Sequence, residues 1–321
     1  MKKVLFLEIE YYPSNLLSFL DTSFEVISKD FNNQNEFDLY LMSNNFFAIF
    51  TKIGLYLGRK QLSTQSELQF IVSPTTGLNH IDQSYISSCN IKIISLKGEF
   101  DFLKNIKSTA EHTWLLILAA SRNFYSAVNN VKINNIWDRK PYLADELNGR
   151  TIGIIGYGRL GKIVAEYAGT FGMNILAYDK DDLSFINNGL NYKTNLDNLL
   201  VNSDYIVLLI SWSEENIKFF NSKMFNLVKK GSYFINTSRG ELVDEKALLD
   251  SLKNNKLAGA AIDVLNGDSS WGSDSYISND LIKYASNHDN LLITPHMGGY
   301  GRTSIYKTRE YIINLFLKET L

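Results

Sequence analysis

A short apolar strand that runs into three spaced glycines and then into a helical pattern constrains this chain more than any other feature. The stretch reads Thr151-Ile152-Gly153-Ile154-Ile155-Gly156-Tyr157-Gly158-Arg159-Leu160-Gly161-Lys162-Ile163-Val164. In such a strand–turn–helix unit the first glycine permits the tight turn. The second removes a side chain where a pyrophosphate must approach the backbone, and the third lets helix and strand pack closely. The N-terminus of the helix then offers free N–H groups and a positive dipole end to the phosphates. Glycines also cluster in ordinary turns, so the flanking strand and helix carry the reading. Gly156, Gly158, Arg159, Leu160 and Gly161 are therefore the expected dinucleotide contacts. The next apolar run, Asn174 to Tyr178, ends at Asp179. An acid there accepts hydrogen bonds from the adenosine ribose and repels a 2′-phosphate, which favours NAD over NADP; Lys180 beside it slightly weakens that preference.

The motif lies near residue 150, so whatever precedes it is a separate domain or half-domain. Short apolar, β-branched runs at Val4 to Ile9, Phe47 to Thr51 and Phe70 to Ser73 read as strands. So do Thr151 to Ile155, Asn174 to Tyr178, Tyr205 to Ile210, Tyr233 to Asn236, Ala260 to Val264 and Asn290 to Thr294. Helix-length segments separate many of them, which implies βαβ units and parallel sheets covered on both faces. Ala110 to Arg122, apolar almost all round, predicts a buried helix. The polar segment from Asn123 to Gly149, with Trp137, Pro141 and Tyr142, reads as an irregular functional arm or interface.

Length and composition narrow the function classes. A chain of 321 residues suits two domains, and 45% hydrophobic with 21% charged residues is the mix of a globular protein. A net charge of -2 supplies no basic field for nucleic acid or an anionic membrane. The N-terminal apolar run stops at Glu8, too soon for a signal peptide, and no stretch approaches the roughly 18 apolar residues of a membrane helix. The single cysteine, Cys89, reads as a small buried hydrophobe; it offers no internal disulfide and no zinc-ligand spacing, which points to a reducing compartment, the cytoplasm, and no metal.

Reducing a keto acid needs a cation for the substrate carboxylate, an acid to protonate the carbonyl oxygen, and a carboxylate to orient that acid. Two late segments supply candidates. Ile235-Asn236-Thr237-Ser238-Arg239-Gly240 is a strand that ends in a polar turn, where open α/β sheets place ligands. Leu292-Ile293-Thr294-Pro295-His296-Met297-Gly298-Gly299 is a strand followed by Pro-His and paired glycines. Arg239 alone reads as a surface ion pair, and His296 alone as a structural histidine; together, each just after a strand, they read as a site. His80, His112 and His288 lack that combination and read as structural.

Taken in order, these segments resemble the D-isomer-specific 2-hydroxyacid dehydrogenases. The resemblance covers nearly the whole chain. It is carried also by Thr75-Thr76-Gly77-Leu78-Asn79-His80-Ile81-Asp82, Ala110-Glu111-His112-Thr113, Trp137-Asp138-Arg139 and Ala261-Ile262-Asp263-Val264. The phosphoglycerate-dehydrogenase-like branch looks nearest. The resemblance implies that Arg239 binds the substrate carboxylate and carbonyl and that His296 is the general acid/base. It implies that Asp263 holds the nicotinamide carboxamide, that Thr113 and Thr237 contact the cofactor, and that backbone amides of Thr76, Gly77 and Leu78 cradle the carboxylate. Lys52 stands where related phosphoglycerate enzymes often carry an arginine facing the distal end of the substrate, and a lysine meets an anion there without the bidentate fork.

Three departures from the family pattern stand out. Asp268 replaces the usual glutamate partner of the histidine and is one methylene shorter. Leu209-Ile210-Ser211 lacks a histidine and proline often found beside the cofactor. Ser269 to Tyr276, with Trp271, is an insertion-like loop. The expected architecture is α/β: a flavodoxin-like substrate domain, residues 1–100 with 298–321, and an NAD-binding Rossmann domain, residues 101–297, with the active-site cleft between them. By resemblance the chain is a homodimer through the cofactor domain and the 123–149 arm. Ending at Leu321, it leaves no room for the regulatory domain of many phosphoglycerate dehydrogenases. The alternative is an NAD(H)-sensing regulator on the same fold without turnover; related folds include such transcriptional corepressors. Glyoxylate, hydroxypyruvate, phosphohydroxypyruvate and a larger sugar-derived acid all remain open as substrates.

Overall fold

The computed structural model describes residues 1–181, 192–268 and 278–321. They divide into two compact units: Met1–Ile106 with residues 267–268 and Gly301–Leu321, and Lys107–Asn266 with residues 278–300.

In the first unit β1 (Lys2–Phe6), β2 (Phe24–Ser28), β3 (Ala48–Phe50), β4 (Phe70–Ser73) and β5 (Lys92–Ser95) form one parallel sheet in the order β2-β1-β3-β4-β5. This is the flavodoxin-like order, with its switch point between β1 and β3. Side chains alternate across the sheet. Val4 and Phe6 pack on one face with Phe50 and with Phe316 of the helix Arg302–Thr320. Leu5 and Ile49 pack on the other with Phe37 and Leu41 of the helix Gln34–Ser43. Each such buried side chain contributes about 1.5–3 kcal/mol, and the ring of Phe6 stacks on that of Phe50 at 4.0 Å. Asn33 starts the helix Gln34–Ser43 by accepting from the Glu36 N–H, a side-chain cap for the first turn.

The second unit holds β6 (Thr151–Ile155), β7 (Asn174–Tyr178), β8 (Tyr205–Leu208), β9 (Ser232–Asn236), β10 (Leu257–Ile262) and β11 (Leu291–Ile293). All pair in parallel, in the order β11-β10-β9-β8-β6-β7. A single parallel bridge, Ala177 to Lys193, adds one pairing outside β7. Counted as a strand, it gives the Rossmann order 3-2-1-4-5-6 with β11 appended. Strand order reverses between β6 and β8, so the glycine turn after β6 emerges at the switch point. The helix Ser108–Ser121 covers one face, its Ala110, Trp114 and Ile117 packing with Ile152, Ile154, Ile235 and Ala261.

Several local expectations change. Strands β2 and β5 were not apparent in the sequence; both are sheet edges, where burial is partial and the apolar run is short. The first strand ends at Phe6, and Ile9–Tyr11 forms a 3-10 turn. The strand expected at Ala260 to Val264 instead ends at Ile262. The helix expected from Ala110 begins at Ser108 and leaves Glu111 and Leu115 exposed. The arm expected to be irregular contains a helix, Phe124–Lys132, which exposes Phe124, Tyr125, Val128 and Val131. Cys89 is half-buried rather than buried. Among the described residues no helix is long and apolar enough to cross a membrane.

Candidate active site

At the switch point of the second unit the glycine turn has a definite geometry. Gly156 has φ +101, and a Cβ there would lie 2.6 Å from the Leu209 carbonyl carbon, so both conformation and space demand glycine. Leu209-Ile210-Ser211, the stretch without the family's histidine and proline, therefore supplies backbone that presses on this turn. A Cβ on Gly161 would lie 2.2 Å from the Gly156 carbonyl oxygen, so the helix Arg159–Thr170 is free to pack against the turn only with glycine here. Gly158 differs: a Cβ there meets nothing, leaving open space over the N-terminus of that helix. The half-buried Arg159 follows directly, its pKa drawn down by burial, with Leu160 beside it. Asp179, at the tip of β7, accepts the Tyr157 N–H at 2.7 Å and the Asp181 N–H at 3.0 Å, which sets its half-exposed carboxylate beside the turn. Open space above the helix N-terminus, with an acid one strand away, fits a dinucleotide pyrophosphate and its adenosine ribose.

The other site residues of this unit leave the carboxyl edge of neighbouring strands. Asn236, Ile262 and Ile293 are level across β9, β10 and β11. Past them come Thr237 to Arg239, Asp263, and Thr294 to His296. Adjacent strands are about 4.8 Å apart, so the three loops start within about 10 Å of one another. Asn236 closes the first loop: its Oδ1 accepts from the N–H and hydroxyl of Ser238 at 3.0 and 2.7 Å, and its Nδ2 donates to the Arg239 carbonyl at 3.0 Å. The half-buried Arg239 donates from one guanidinium nitrogen to the Ser238 carbonyl at 2.7 Å. Thr113 and Thr237 touch through their hydroxyls at 2.6 Å, joining the helix Ser108–Ser121 to this loop.

Asp263 is the hub of the second and third loops. It is 1% exposed. Its Oδ1 accepts from Thr294 Oγ1 at 2.5 Å and Met297 N at 2.9 Å, with His112 Nε2 at 3.2 Å, and its Oδ2 accepts from Gly298 N at 2.7 Å. Burial favours the neutral acid and is the largest single influence. The bonds from His112, Thr294, Met297 and Gly298 together outweigh it and hold the pKa below its ordinary value. His296, half-buried, has φ 52 and donates its backbone N–H to the carbonyls of Asp263 (2.8 Å) and Thr294 (2.9 Å). Left-handed backbone is uncommon for a non-glycine residue. The carboxylate read as a cofactor contact is thus already bound by the protein around the histidine turn. His112, read as merely structural, is part of that binding. The signal available in the sequence was weak: a buried aspartate needs donors and a buried histidine needs an acceptor, but nothing local pairs the two. His288 lies just before β11, at the opposite edge from His296, and stacks on Tyr284 at 3.9 Å.

The first unit carries the remaining candidates. Thr76, Gly77 and Leu78 form the loop after β4, with Thr76 exposed and Leu78 buried. The loop is anchored from below. Ser73 and Thr75 hydroxyls meet at 2.8 Å, Thr75 donates to the Gly77 carbonyl at 2.7 Å, and buried His80 places Nε2 3.2 Å from Ser73 Oγ and 3.3 Å from Thr51 Oγ1. Lys52, past the end of β3, forms an ion pair with Asp30. Asp268 lies beyond β10, is half-buried, and groups with this unit. The loop Ser269 to Tyr276, with Trp271, lies outside the described residues. Among the described residues no group of three or more His, Cys, Asp or Glu is placed to hold a metal ion.

Comparison with known proteins places this geometry. Residues 114–298 match the family described as D-isomer specific 2-hydroxyacid dehydrogenase, NAD binding domain. The chain is 26% identical to a glyoxylate reductase of Pyrococcus furiosus, over 96% of this chain and 89% of that one. It is 33% identical to a D-3-phosphoglycerate dehydrogenase of Archaeoglobus fulgidus over 84% of this chain, and spans 47% of that protein's length. A D-lactate dehydrogenase of Aquifex aeolicus, crystallised with NAD and lactic acid, superposes with a TM-score of 0.77 at 27% identity, covering 99% of this chain and 96% of that one.

Proposed function

Because the chain belongs to the D-isomer specific 2-hydroxyacid dehydrogenases, which are NAD-dependent oxidoreductases, we propose that it interconverts a short D-2-hydroxy acid and its 2-keto acid through Arg239 and His296. The observation that carries this reading is the common origin of their two loops at one carboxyl edge, level across β9 to β11. Bound NAD(H) accepts or supplies the hydride at the substrate C2. The Arg239 guanidinium grips the carboxylate and draws electron density from the C2 carbonyl. In reduction the His296 imidazolium gives its proton to the carbonyl oxygen as that oxygen gains charge; in oxidation the neutral ring takes the hydroxyl proton. Asp268 belongs to the catalytic set as the carboxylate of the reaction. Backbone N–H groups of Thr76, Gly77 and Leu78 serve substrate binding. Thr113, Thr237 and Asp263 border the nicotinamide, and Gly156, Gly158, Arg159, Leu160, Gly161 and Asp179 hold the rest of the dinucleotide. Residues 1–100 with 298–321 then serve substrate binding, and 101–297 serve the cofactor.

The local charges of the first unit bear on the substrate. Lys52 is paired with Asp30 and lies within electrostatic reach of Glu8, while buried Arg309 is committed to Glu8 at 3.0 Å. Both cations of this cluster among the described residues, Lys52 and Arg309, already face an acidic partner, which supports a short acid with an uncharged tail over a phosphorylated one. The apolar side chains exposed on the helix Phe124–Lys132, together with Trp137 (91% exposed) and Leu143 (93%), support a homodimer through this segment. The lone cysteine suits a cytoplasmic setting.

A steady-state assay with NADH and glyoxylate, pyruvate, hydroxypyruvate and phosphohydroxypyruvate tests the reading, with chiral analysis of the product. Turnover to the D-acid is expected. NADH binding without turnover of any 2-keto acid replaces the enzyme with the NAD(H)-sensing regulator.

A further inference from the structure

We propose that His112 is a positioning residue for the reaction, holding through Asp263 the turn that carries His296. The proposal rests on the dehydrogenase reading above.

Proton bookkeeping around Asp263 sets the direction of each bond. The fold keeps Asp263 ionised, so its oxygens only accept. The Thr294 hydroxyl has one proton, committed to Asp263 Oδ1 at 2.5 Å. His112 Nε2 lies 2.9 Å from that hydroxyl oxygen and 3.2 Å from Asp263 Oδ1. Both neighbours face Nε2 with lone pairs, so Nε2 carries the proton and donates between them. This assigns the histidine tautomer from its partners. A ring 8% exposed, fixed in this way, locks the rotamer of the carboxylate.

The carboxylate in turn holds the histidine turn. Met297 and Gly298 direct successive backbone N–H groups at it, immediately after the left-handed His296. A non-glycine residue in that conformation costs about 1–3 kcal/mol and persists only where its surroundings over-determine it. The same helix makes two further ties. Ser108 Oγ donates to the Gly298 carbonyl at 2.8 Å. Thr113 donates to the Thr109 carbonyl at 2.7 Å, so the Thr237 hydroxyl supplies the proton of the 2.6 Å Thr113–Thr237 contact. The first turns of the helix Ser108–Ser121 thus grip the loops that carry Arg239 and His296. Loss of the His112 donor frees the carboxylate to turn and loosens His296 without removing any group that touches substrate.

The test compares wild type, His112→Phe, which keeps a ring and removes the donor, and His112→Gln, which keeps a donor near the same place. All are assayed as full-length protein with NADH and the best 2-keto acid of the panel. His112→Phe is expected to lower kcat by about tenfold to a hundredfold, the scale of a small misplacement of catalytic groups. Its NADH Kd, read by fluorescence, stays within about threefold, and the primary isotope effect with 4-deuterated NADH rises as hydride transfer becomes limiting. His112→Gln recovers most of the loss. Should His112→Phe not fold, Thr294→Val, which removes the bridging hydroxyl, takes its place with the same expected split. Wild-type inactivity on every acid overturns the dehydrogenase reading and this proposal with it. An active wild type overturns this proposal alone if the variant keeps its kcat, if kcat and NADH affinity fall together, or if glutamine rescues nothing.

Discussion

Replacing Asp263 by asparagine isolates the charge at the centre of the histidine turn while keeping its shape. The carboxylate accepts from four donors: Thr294 Oγ1, Met297 N, Gly298 N and His112 Nε2. An amide has one acceptor oxygen. In its better orientation that oxygen takes the Oδ1 position and keeps three donors, while the amide NH2 faces the Gly298 N–H, donor against donor. Bonds to a charged acceptor contribute about 1.5–3 kcal/mol and neutral ones about 0.5–1.5, and an unsatisfied buried N–H costs about 1–3. Three bonds weakened by about 1–1.5 kcal/mol each and one orphaned donor therefore sum to about 4–7 kcal/mol. The neutral side chain escapes the burial cost that opposes the carboxylate, which brings the net loss to about 2–3 kcal/mol. For a unit of this size each kcal/mol moves Tm by about 2–4 °C, so a fall of about 5–10 °C is expected at neutral pH. The pH dependence has a definite sign. The folded pKa of Asp263 lies below its unfolded value, so its contribution is complete above the unfolded pKa, near pH 4, and is lost as pH falls through the folded one. Calorimetric scans of wild type and Asp263→Asn from neutral to acid pH should show the Tm gap narrowing below about pH 4. Equal Tm values at neutral pH, or a gap that ignores acidification, would falsify the assignment of Asp263 as a buried, fully engaged carboxylate.

Asp179→Ser removes the acid beside the glycine turn. The ratio of kcat/KM for NADPH to that for NADH should rise by at least about tenfold, worth about 1.4 kcal/mol, and an unmoved ratio refutes its role at the ribose. Gly161→Ala and Gly158→Ala form a contrasting pair. The first drives a methyl to 2.2 Å from the Gly156 carbonyl and should cost about 1–3 kcal/mol of stability, while the second meets no protein atom and should leave Tm unchanged yet weaken NADH binding. Melting curves and fluorescence titration separate them, and equal stability losses contradict the geometry. Arg239→Lys keeps the charge and loses the planar fork. It should lower kcat/KM by about a hundredfold, about 2.7 kcal/mol, and near-wild-type kinetics exclude a bidentate grip on the substrate.

Legibility in the sequence followed burial. Strand β6 and the turn between it and its helix were readable to the residue, because four of its five residues are buried in a near-continuous apolar run and a turn at +101° must be glycine. Edges were harder. Phe24–Ser28 and Lys92–Ser95 bury only part of their surface and carry no bounding glycine or proline signal. The helix Phe124–Lys132 was obscured by asparagines and by an apolar face turned outward.

The sequence by itself determined the α/β class, the dinucleotide turn with its acid, and the placement of Arg239, Asp263 and His296 just after strands, since each depends on residues adjacent in the chain. Only the tertiary structure decided which strands are neighbours, that Asn236, Ile262 and Ile293 are level, and that Asp263 is bound by the helix carrying His112. His112 and Thr294 are separated by 182 positions and meet at 2.9 Å. Their meeting follows from a helix packing across a sheet, and a periodicity of two or 3.6 residues holds no information about which distant side chain will lie opposite.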